Sequence, residues 1–283
     1  MIVVSGSASK SLSNTLAEET GCALANVESR RFPDFECYVR IHENLDGEEV
    51  VLVQTSYPDE KIIELFLLQD AIREFDIKNL ITVVPYFGYA RQDKKFNLGE
   101  PISAKTLVKH IQLSSDSLIT VDIHEESVLE ISEKPTKNIS SMPQIGAYLK
   151  NLAPDIIIAP DEGALELAKI AAEFTGCKWD YLEKIRIDGE TVEMKAKNVS
   201  VSGKKVAIVD DIIATGGTIV KATEQLKSQG ADEVYAACTH GLFAKNALPR
   251  LKSVCDKVIS TDTIENETSV VSVAKELAKA LGY

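Results

Sequence analysis

The sequence contains a second, diverged copy of itself, which constrains the fold more than any single motif does. Val3–Cys22 (VVSGSASKSLSNTLAEETGC) lies over Ile158–Cys177 (IAPDEGALELAKIAAEFTGC) at a constant offset of 155. Identities fall at Leu12/Leu167, Ala17/Ala172, Glu18/Glu173 and throughout a shared Thr-Gly-Cys end. The same offset carries Glu28 and Arg31 onto Glu183 and Arg186, and Val51–Val53 onto Val206–Ile208. With the offset shortened by one, Leu80–Val84 overlies Val234–Cys238. Four blocks in order read as a tandem duplication. Each copy must then bury its own core, and 283 residues suffice for two domains of roughly 150. Pro135, Pro143 and Pro154 interrupt the pattern. The expected domains are therefore 1–143 and 144–283, with the C-terminal helix free to pack back on the first.

Within each copy the pattern is strand, then helix. Short β-branched runs at Ile2–Val4, Val50–Val53, Leu80–Val84, Leu118–Val121, Ile156–Ile158, Val206–Val209 and Val234–Cys238 read as buried strands. Ala164, Leu167, Ala168, Ala171 and Phe174 share one helical face, closed by Gly176. Ile62–Ile72 is apolar nearly all round, which predicts a helix covered by the sheet on one side and by something else, such as another subunit, on the other. Alternating strands and helices imply an α/β fold: two domains, each a mainly parallel sheet flanked by helices. Ligands in such folds sit beyond the carboxyl ends of the strands.

Composition narrows the partners. Thirty-one Lys and Arg against 43 Asp and Glu give a net charge of −12, which argues against nucleic acid or an anionic membrane. No apolar run reaches the roughly 18 residues of a membrane span, and Met1 leads into Ile-Val-Val-Ser-Gly with no basic leader. The five cysteines form no Cys-x-x-Cys and cannot all pair, so reduced thiols in a cytoplasm are expected.

The richest strand-end string is Val206-Ala-Ile-Val-Asp210-Asp211-Ile-Ile-Ala214-Thr215-Gly216-Gly217-Thr218. A strand ends in two carboxylates, a small-residue loop follows, and a helix begins. Glycines let backbone amides approach an anion at the helix N-terminus, where the dipole adds only about 0.3–1 kcal/mol. Several charge-assisted bonds of about 1.5–3 kcal/mol each would do most of the holding. Ala214–Thr218 therefore suits a phosphate monoester, and Asp210 and Asp211 suit sugar hydroxyls; the plainer alternative is an acidic turn capping a helix. Elsewhere, Phe32 offers an aromatic face, and Asp34 and Glu36 share a side if their segment is extended, which suits a purine with its exocyclic amine as well as it suits a solvated edge strand. Arg91 can stack on a base and reach phosphate, or simply belong to a basic surface loop. His124 follows Asp122 at a strand end, where it could meet Mg²⁺ directly or through water. His42, His110 and His240 read as structural.

The Asp210–Thr218 string resembles the phosphoribosyl-diphosphate loop of the type I phosphoribosyltransferase fold. Four further strings narrow the resemblance to the ribose-phosphate pyrophosphokinase family over essentially the whole chain. They are Arg31–Glu36, Pro85–Lys95 with Glu100–Lys105 behind it, Val121–His124, and Lys184-Ile185-Arg186. The resemblance implies transfer of a diphosphoryl group from MgATP to the anomeric hydroxyl of ribose 5-phosphate. Phe32, Asp34, Glu36, Arg91, Gln92 and Asp93 would hold ATP, and His124 and Asp161 would position Mg²⁺. Lys184 and Arg186 would be catalytic, with Arg186 also at the ribose-5-phosphate site. Asp161 could equally cap a helix. The polar stretch Asp188–Ser202 reads as a mobile lid or hairpin. In the family the Phe-x-Asp-x-Glu segment serves an ATP shared with a neighbouring subunit, so at least a homodimer is expected. Phe35 stands where glycine is common, and Gly99 where arginine is common. At an offset of 155, Asp210-Asp211 falls on Thr55-Ser56 and Ala214–Thr218 on Asp59–Ile63, so only the second copy retains the phosphate cradle. A nucleobase phosphoribosyltransferase would need neither the duplicated half nor Arg91-Gln92. A non-catalytic homologue would be expected to have lost Lys184, Arg186 or His124.

Overall fold

The computed structural model describes the backbone of residues 1–186, 192–196 and 200–283, and the side chains of residues 1–183 and 200–283. One compact unit comprises Met1–Ser140, Asp262–Glu265 and Ser272–Tyr283; the other comprises Ser141–Thr261 and Asn266–Val271.

In the first unit the chain runs β1 (Ile2–Ser5), α1 (Lys10–Thr20), β2 (Ala23–Leu24), β3 (Val27–Arg31), β4 (Cys37–Ile41), β5 (Glu49–Val53), α2 (Glu60–Arg73), β6 (Asn79–Val84), α3 (Ser103–Ser114), β7 (Ser117–Val121) and β8 (Thr136–Ile139). The parallel sheet has the order β2-β1-β5-β6-β7-β8, and β3 and β4 form a separate antiparallel hairpin. Alternation along each strand divides the apolar residues between two faces. Val4, Val50, Leu52, Leu80 and Leu118 pack with Leu65, Leu68 and Ile72 of α2 and with α3. Val3, Val51, Val53, Val83 and Ile119 pack with Leu12 and Leu16 of α1.

The second unit runs α4 (Met142–Lys150), β9 (Ile156–Ala159), α5 (Leu165–Thr175), β10 (Lys178–Arg186), β11 (Val192–Ala196), β12 (Lys205–Ile213), α6 (Gly217–Ser228), β13 (Glu233–Gly241), α7 (Ala247–Val254), β14 (Lys257–Thr261) and β15 (Ser269–Val271). Its sheet order is β11-β10-β9-β12-β13-β14-β15, with only the β10–β11 pair antiparallel among the described strands. Ile156, Ile158, Val206 and Ile208 face α6 and α7, while Ile157, Ala159, Ala207 and Val209 face α4 and α5. After β15 the chain forms α8 (Ala274–Leu281) in the first unit, where Ala274, Leu277 and Ala278 join the α1 face.

The repeat reaches individual hydrogen bonds. Gly21 and Gly176 end α1 and α5 in the same left-handed conformation, φ 66° and 77°. The hairpins share a register: Val27↔Ile41 through Arg31↔Cys37 recur 155 residues later as Leu182↔Ala196 through Arg186↔Val192. Asp116 accepts the Leu80 amide at 2.7 Å and pairs with Arg73 at 2.8 Å. Asp256 likewise accepts the Val234 amide at 2.7 Å and pairs with Lys227 at 3.0 Å. Burial alone would raise both carboxyls, but the amide and the adjoining cation outweigh it and hold each below the usual range.

Three expectations need correction. A constant offset of 155 fails in β1 and β5, where a one-residue slip moves every side chain to the opposite face, while the shortened offset expected for Leu80–Val84 holds. The ladders Ile2–Val50–Leu80 and Ile156–Val206–Val234 set offsets of 154, 156 and 154 for β1, β5 and β6. Asp210-Asp211 thus corresponds to Gln54-Thr55. Second, β12 does not end at the acidic pair: Asp210 pairs with Cys238, and the ladder continues to Ile213↔Gly241. Third, Phe174 is 45% exposed; α4 approaches so closely at Gly146, where a Cβ would lie 2.6 Å from Ala171 O, that no ring fits between the helices. In α2, Leu65, Leu68 and Ile72 pack into the core while Ile63 and Leu67 are exposed on the single chain, where a second cover is expected. Ile62 and Phe66 line a groove of about 330 Å³ with Tyr89, Pro101, Leu107 and His110.

Candidate functional site

In the second unit, β12 delivers Asp210 and Asp211 partly buried at the carboxyl end of the sheet. Each turns back on the chain: Asp210 Oδ1 accepts the Asp211 amide at 3.0 Å, and Asp211 Oδ1 accepts the Ile212 amide at 2.7 Å. Burial pushes the Asp210 carboxyl well above its ordinary value, and the charges of Asp211 and Asp161 push it further. Asp161 follows β9, the strand beside β12, and caps the short 3₁₀ turn Glu162–Ala164 by accepting the Gly163 amide at 3.0 Å. The capping role is therefore present, and three carboxylates share one strand-end region.

Ala214 and Thr215 lead to Gly216, which stands at φ 72° as the N-cap of α6. An added Cβ there would lie 3.2–3.3 Å from Leu251 and Ala247 of α7, so glycine is required by both conformation and space. At Gly217 no atom lies within 4 Å of an added Cβ. The cap has no side chain to offer the first-turn amides, and Thr215 and Thr218 are exposed. The loop is thus turned so that the α6 N-terminus opens outward, a geometry suited to an anion. Arg250 braces it by donating to Thr215 O at 2.6 Å. Sequence reading missed this residue because it lies on another helix and no motif surrounds it. Lys184 and Arg186 are placed by backbone in β10; their side chains, and residues 188–191 and 197–199 of the expected lid or hairpin, lie outside the described residues.

In the first unit, Phe32–Glu36 is the exposed turn between β3 and β4 rather than an extended segment, so the shared-side argument for Asp34 and Glu36 does not apply. Phe32 N donates to Glu36 O at 2.9 Å, Asp34 Oδ1 accepts the Glu36 amide at 3.2 Å, and Phe35 sits at φ 70°. That left-handed conformation favours glycine and leaves the Phe35 ring 79% exposed. Phe32 packs edge-on against Tyr38 at 5.7 Å, with Arg30 4.8 Å over its ring. Beyond β6, Arg91 is exposed and Asp93 half-buried. Gln92 is a structural anchor: its amide donates to Tyr89 O, its carbonyl accepts the Ala104 amide, and its side chain meets Ser103. Gly99 occupies φ 90°, a turn position where arginine would be strained. Asp122, at φ 36°, reverses the chain after β7 and leaves His124 exposed, whereas His240 is buried in β13. The structure thus brings Asp161, Asp210, Asp211 and Ala214–Thr218 together in the second unit. In the first it places Phe32–Glu36, Arg91–Asp93 and His124 on three strand-end or hairpin loops. Among the described residues, no group of three or more His, Cys, Asp or Glu is arranged to hold a metal, and no helix is long and apolar enough to cross a membrane.

Comparison with known proteins agrees with this architecture. Residues 1–114 match the model for the N-terminal domain of ribose phosphate pyrophosphokinase, and residues 137–276 match the phosphoribosyl transferase domain. A ribose-phosphate pyrophosphokinase of Methanopyrus kandleri is 42% identical over 99% of this chain and 98% of its own. One of Pyrococcus furiosus is 42% identical over 99% and 100%. The crystal structure of phosphoribosylpyrophosphate synthetase from Mycobacterium smegmatis superposes with a TM-score of 0.84 at 27% identity, covering 99% of this chain and 97% of that one. With both halves matched in order and full-length relatives above 40% identity, the chain belongs to the ribose-phosphate pyrophosphokinase family.

Proposed function

We propose that the protein transfers the diphosphoryl group of ATP to the anomeric hydroxyl of ribose 5-phosphate, giving 5-phosphoribosyl 1-diphosphate and AMP for nucleotide synthesis. One observation carries the reading of the sugar site: a pair of carboxylates in the last half of β12, close before a glycine-turned helix N-terminus, in the second unit. Ala214, Thr215, Gly216, Gly217 and Thr218 are assigned to the 5-phosphate, and Asp210 and Asp211 to the ribose hydroxyls. Asp210 and Asp211 accept from hydroxyls best when ionised, so binding of the sugar opposes the burial that favours protonation. Phe32, Asp34, Glu36, Arg91, Gln92 and Asp93 are assigned to ATP. Lys184 and Arg186 are assigned to the charge that spreads over the transferring oxygens, Arg186 also contacting ribose 5-phosphate. Positioning and charge neutralisation carry such transfers, with little covalent work for the protein.

The donor set fits Mg²⁺. This ion takes one or two carboxylates together with substrate phosphates and water, rather than an all-protein cage. The charges of Asp211 and Asp161, which add to burial at Asp210, favour a cation nearby. His124 and Asp161 are each assigned to Mg²⁺, which when bound neutralises charge on the triphosphate.

Full-length relatedness to ribose-phosphate pyrophosphokinases supports this enzyme over a nucleobase phosphoribosyltransferase or a non-catalytic homologue. The division of labour follows the duplication, with nucleotide on 1–143 and ribose 5-phosphate on 144–283. We assign a cytoplasmic location, in keeping with five free thiols, and a homodimer or larger assembly of this chain. Incubation with ribose 5-phosphate and MgATP should release AMP; release of ADP, or no turnover, refutes the activity. Sedimentation of a fully active monomer refutes the assembly.

A further inference from the structure

Helices α2 and α6 occupy equivalent places in the two units, and their buried residues fix the correspondence between them. Leu65, Leu68, Gln69 and Ile72 match Ile219, Ala222, Thr223 and Leu226 at an offset of 154. The counterpart of Ala214–Thr218 is therefore Glu60–Glu64. In the first unit those five residues are wound into α2, which begins at Glu60, whereas α6 begins only at Gly217. Glu64 thus stands where the second unit carries Thr218.

Its carboxylate is 1% exposed and is met by four donors: the Ser7 amide at 2.8 Å, Ser7 Oγ at 2.6 Å, Ser29 Oγ at 3.0 Å and Lys61 Nζ at 3.2 Å. Burial alone would raise this carboxyl, but the Ser7 hydroxyl and amide, with Lys61, outweigh it and keep it below its ordinary value. Ser29 lies in β3, three residues before Phe32, so one of the four bonds leads directly to the hairpin. A looser tie runs beside it, with Arg31 3.7 Å from Glu60 and donating to Phe35 O at 3.0 Å.

We propose that Glu64 is the positioning residue of the nucleotide hairpin: a built-in carboxylate, set at the place of the phosphate-loop Thr218, that clamps β3 to α2 and to the β1–α1 loop. A clamp here fixes the direction in which Phe32, Asp34 and Glu36 project. The inference rests on the assignment of that turn to ATP.

The test uses the full-length protein with Ser29→Ala, Glu64→Gln and, as control, Phe32→Ala. Ser29→Ala removes the bond to the hairpin and leaves the rest of the network intact. Loss of a hydrogen bond to a charged acceptor should raise the KM for ATP about tenfold. The KM for ribose 5-phosphate and kcat should stay within about twofold, and the thermal midpoint of Ser29→Ala should be unchanged. Glu64→Gln should show the same split; if it does not fold, Ser29→Ala alone decides. If Phe32→Ala raises the ATP KM but Ser29→Ala does not, the clamp is wrong and the ATP assignment stands. If Phe32→Ala has no effect on ATP, the assignment fails and takes the clamp with it. Equal losses toward both substrates with a lowered thermal midpoint would mark Glu64 as a packing group only and overturn the proposal.

Discussion

Gly216 and Gly217 are adjacent, yet substituting each with alanine should separate the loop's conformation from its ligand. At Gly216 the left-handed φ of 72° costs an L-residue about 1–2 kcal/mol. The new Cβ would also meet Leu251 and Ala247, fully buried residues of α7, at 3.2–3.3 Å, so they must give by a few tenths of an ångström. Together these make Gly216→Ala about 2 kcal/mol destabilising. For a unit of this size that lowers the thermal midpoint by about 8 °C. At Gly217 the backbone is ordinary and an added Cβ meets nothing, so the midpoint should hold within about 2 °C. The space the methyl enters is the one assigned to the 5-phosphate. Displacing even one charge-assisted amide bond should weaken ribose 5-phosphate about tenfold or more. Thermal denaturation and titration calorimetry with ribose 5-phosphate read the two effects separately. A Gly217→Ala protein that binds the sugar phosphate like the parent would refute the phosphate assignment. A Gly216→Ala protein with an unmoved midpoint would refute the conformational argument.

Further outcomes follow from the charged groups. The folded-state carboxyl of Asp210 lies above its unfolded value, so its contribution to stability is complete below about pH 4 and is lost as pH rises through the folded value. Asp210→Asn should therefore raise the thermal midpoint at pH 7–8, with a gain that shrinks on acidification, while weakening ribose 5-phosphate; a gain that grows at low pH contradicts this. Asp116 and Asp256 have the opposite sign, contributing above about pH 4 and losing that contribution as pH falls through their lowered values. Asp116→Ala or Asp256→Ala should each cost about 1 kcal/mol at neutral pH, and less near pH 2, by urea denaturation. Lys184→Ala should cut turnover about 100-fold or more with ribose-5-phosphate affinity nearly unchanged; equal losses would remove its catalytic role.

Much of the fold was legible because β-branched runs, a repeated Thr-Gly-Cys helix end and a duplication all report local structure. Registers were only partly so. The identity-based offset of 155 comes from α1/α5 and the hairpins, where it holds; the ladders put β1 and β5 at 154 and 156, which their valines and isoleucines do not distinguish in sequence, whereas the 154 of β6 was legible. The conformation of the Ala214–Thr218 loop was legible for a related reason: its glycines encode the backbone directly, and Gly216 adopts the left-handed turn. The nucleotide role proposed for Phe32–Glu36 and Arg91–Asp93 rests on the resemblance alone. Phe32–Glu36 alternates like a strand, yet it forms a turn because five residues must link two antiparallel partners. Arg250 and Glu64 carried no sequence signal, since both act through contacts to distant segments.

The two linkers that follow the matched strands β5 and β12 explain how one duplicated fold came to have unlike halves. From the residue after Val53 to Glu64 the first unit has two more residues than the second has from Asp210 to Thr218, by the correspondence of the ladders and helices. The second unit keeps its ladder running to Ile213 and turns at Gly216, which leaves the α6 amides without a side-chain cap. In the first unit the equivalent residues form the opening of α2, where the Lys61 and Ile62 amides already donate to Pro58 O and Asp59 O, which leaves fewer free donors for an external phosphate. A negative group is still present there, now covalently attached as Glu64 and satisfied by Ser7, Ser29 and Lys61. On the proposed assignments, exchanging a ligand for a side chain removes a binding site and gains a permanent brace. That change would turn a phosphate site into a support for a nucleotide hairpin without altering the sheet beneath it.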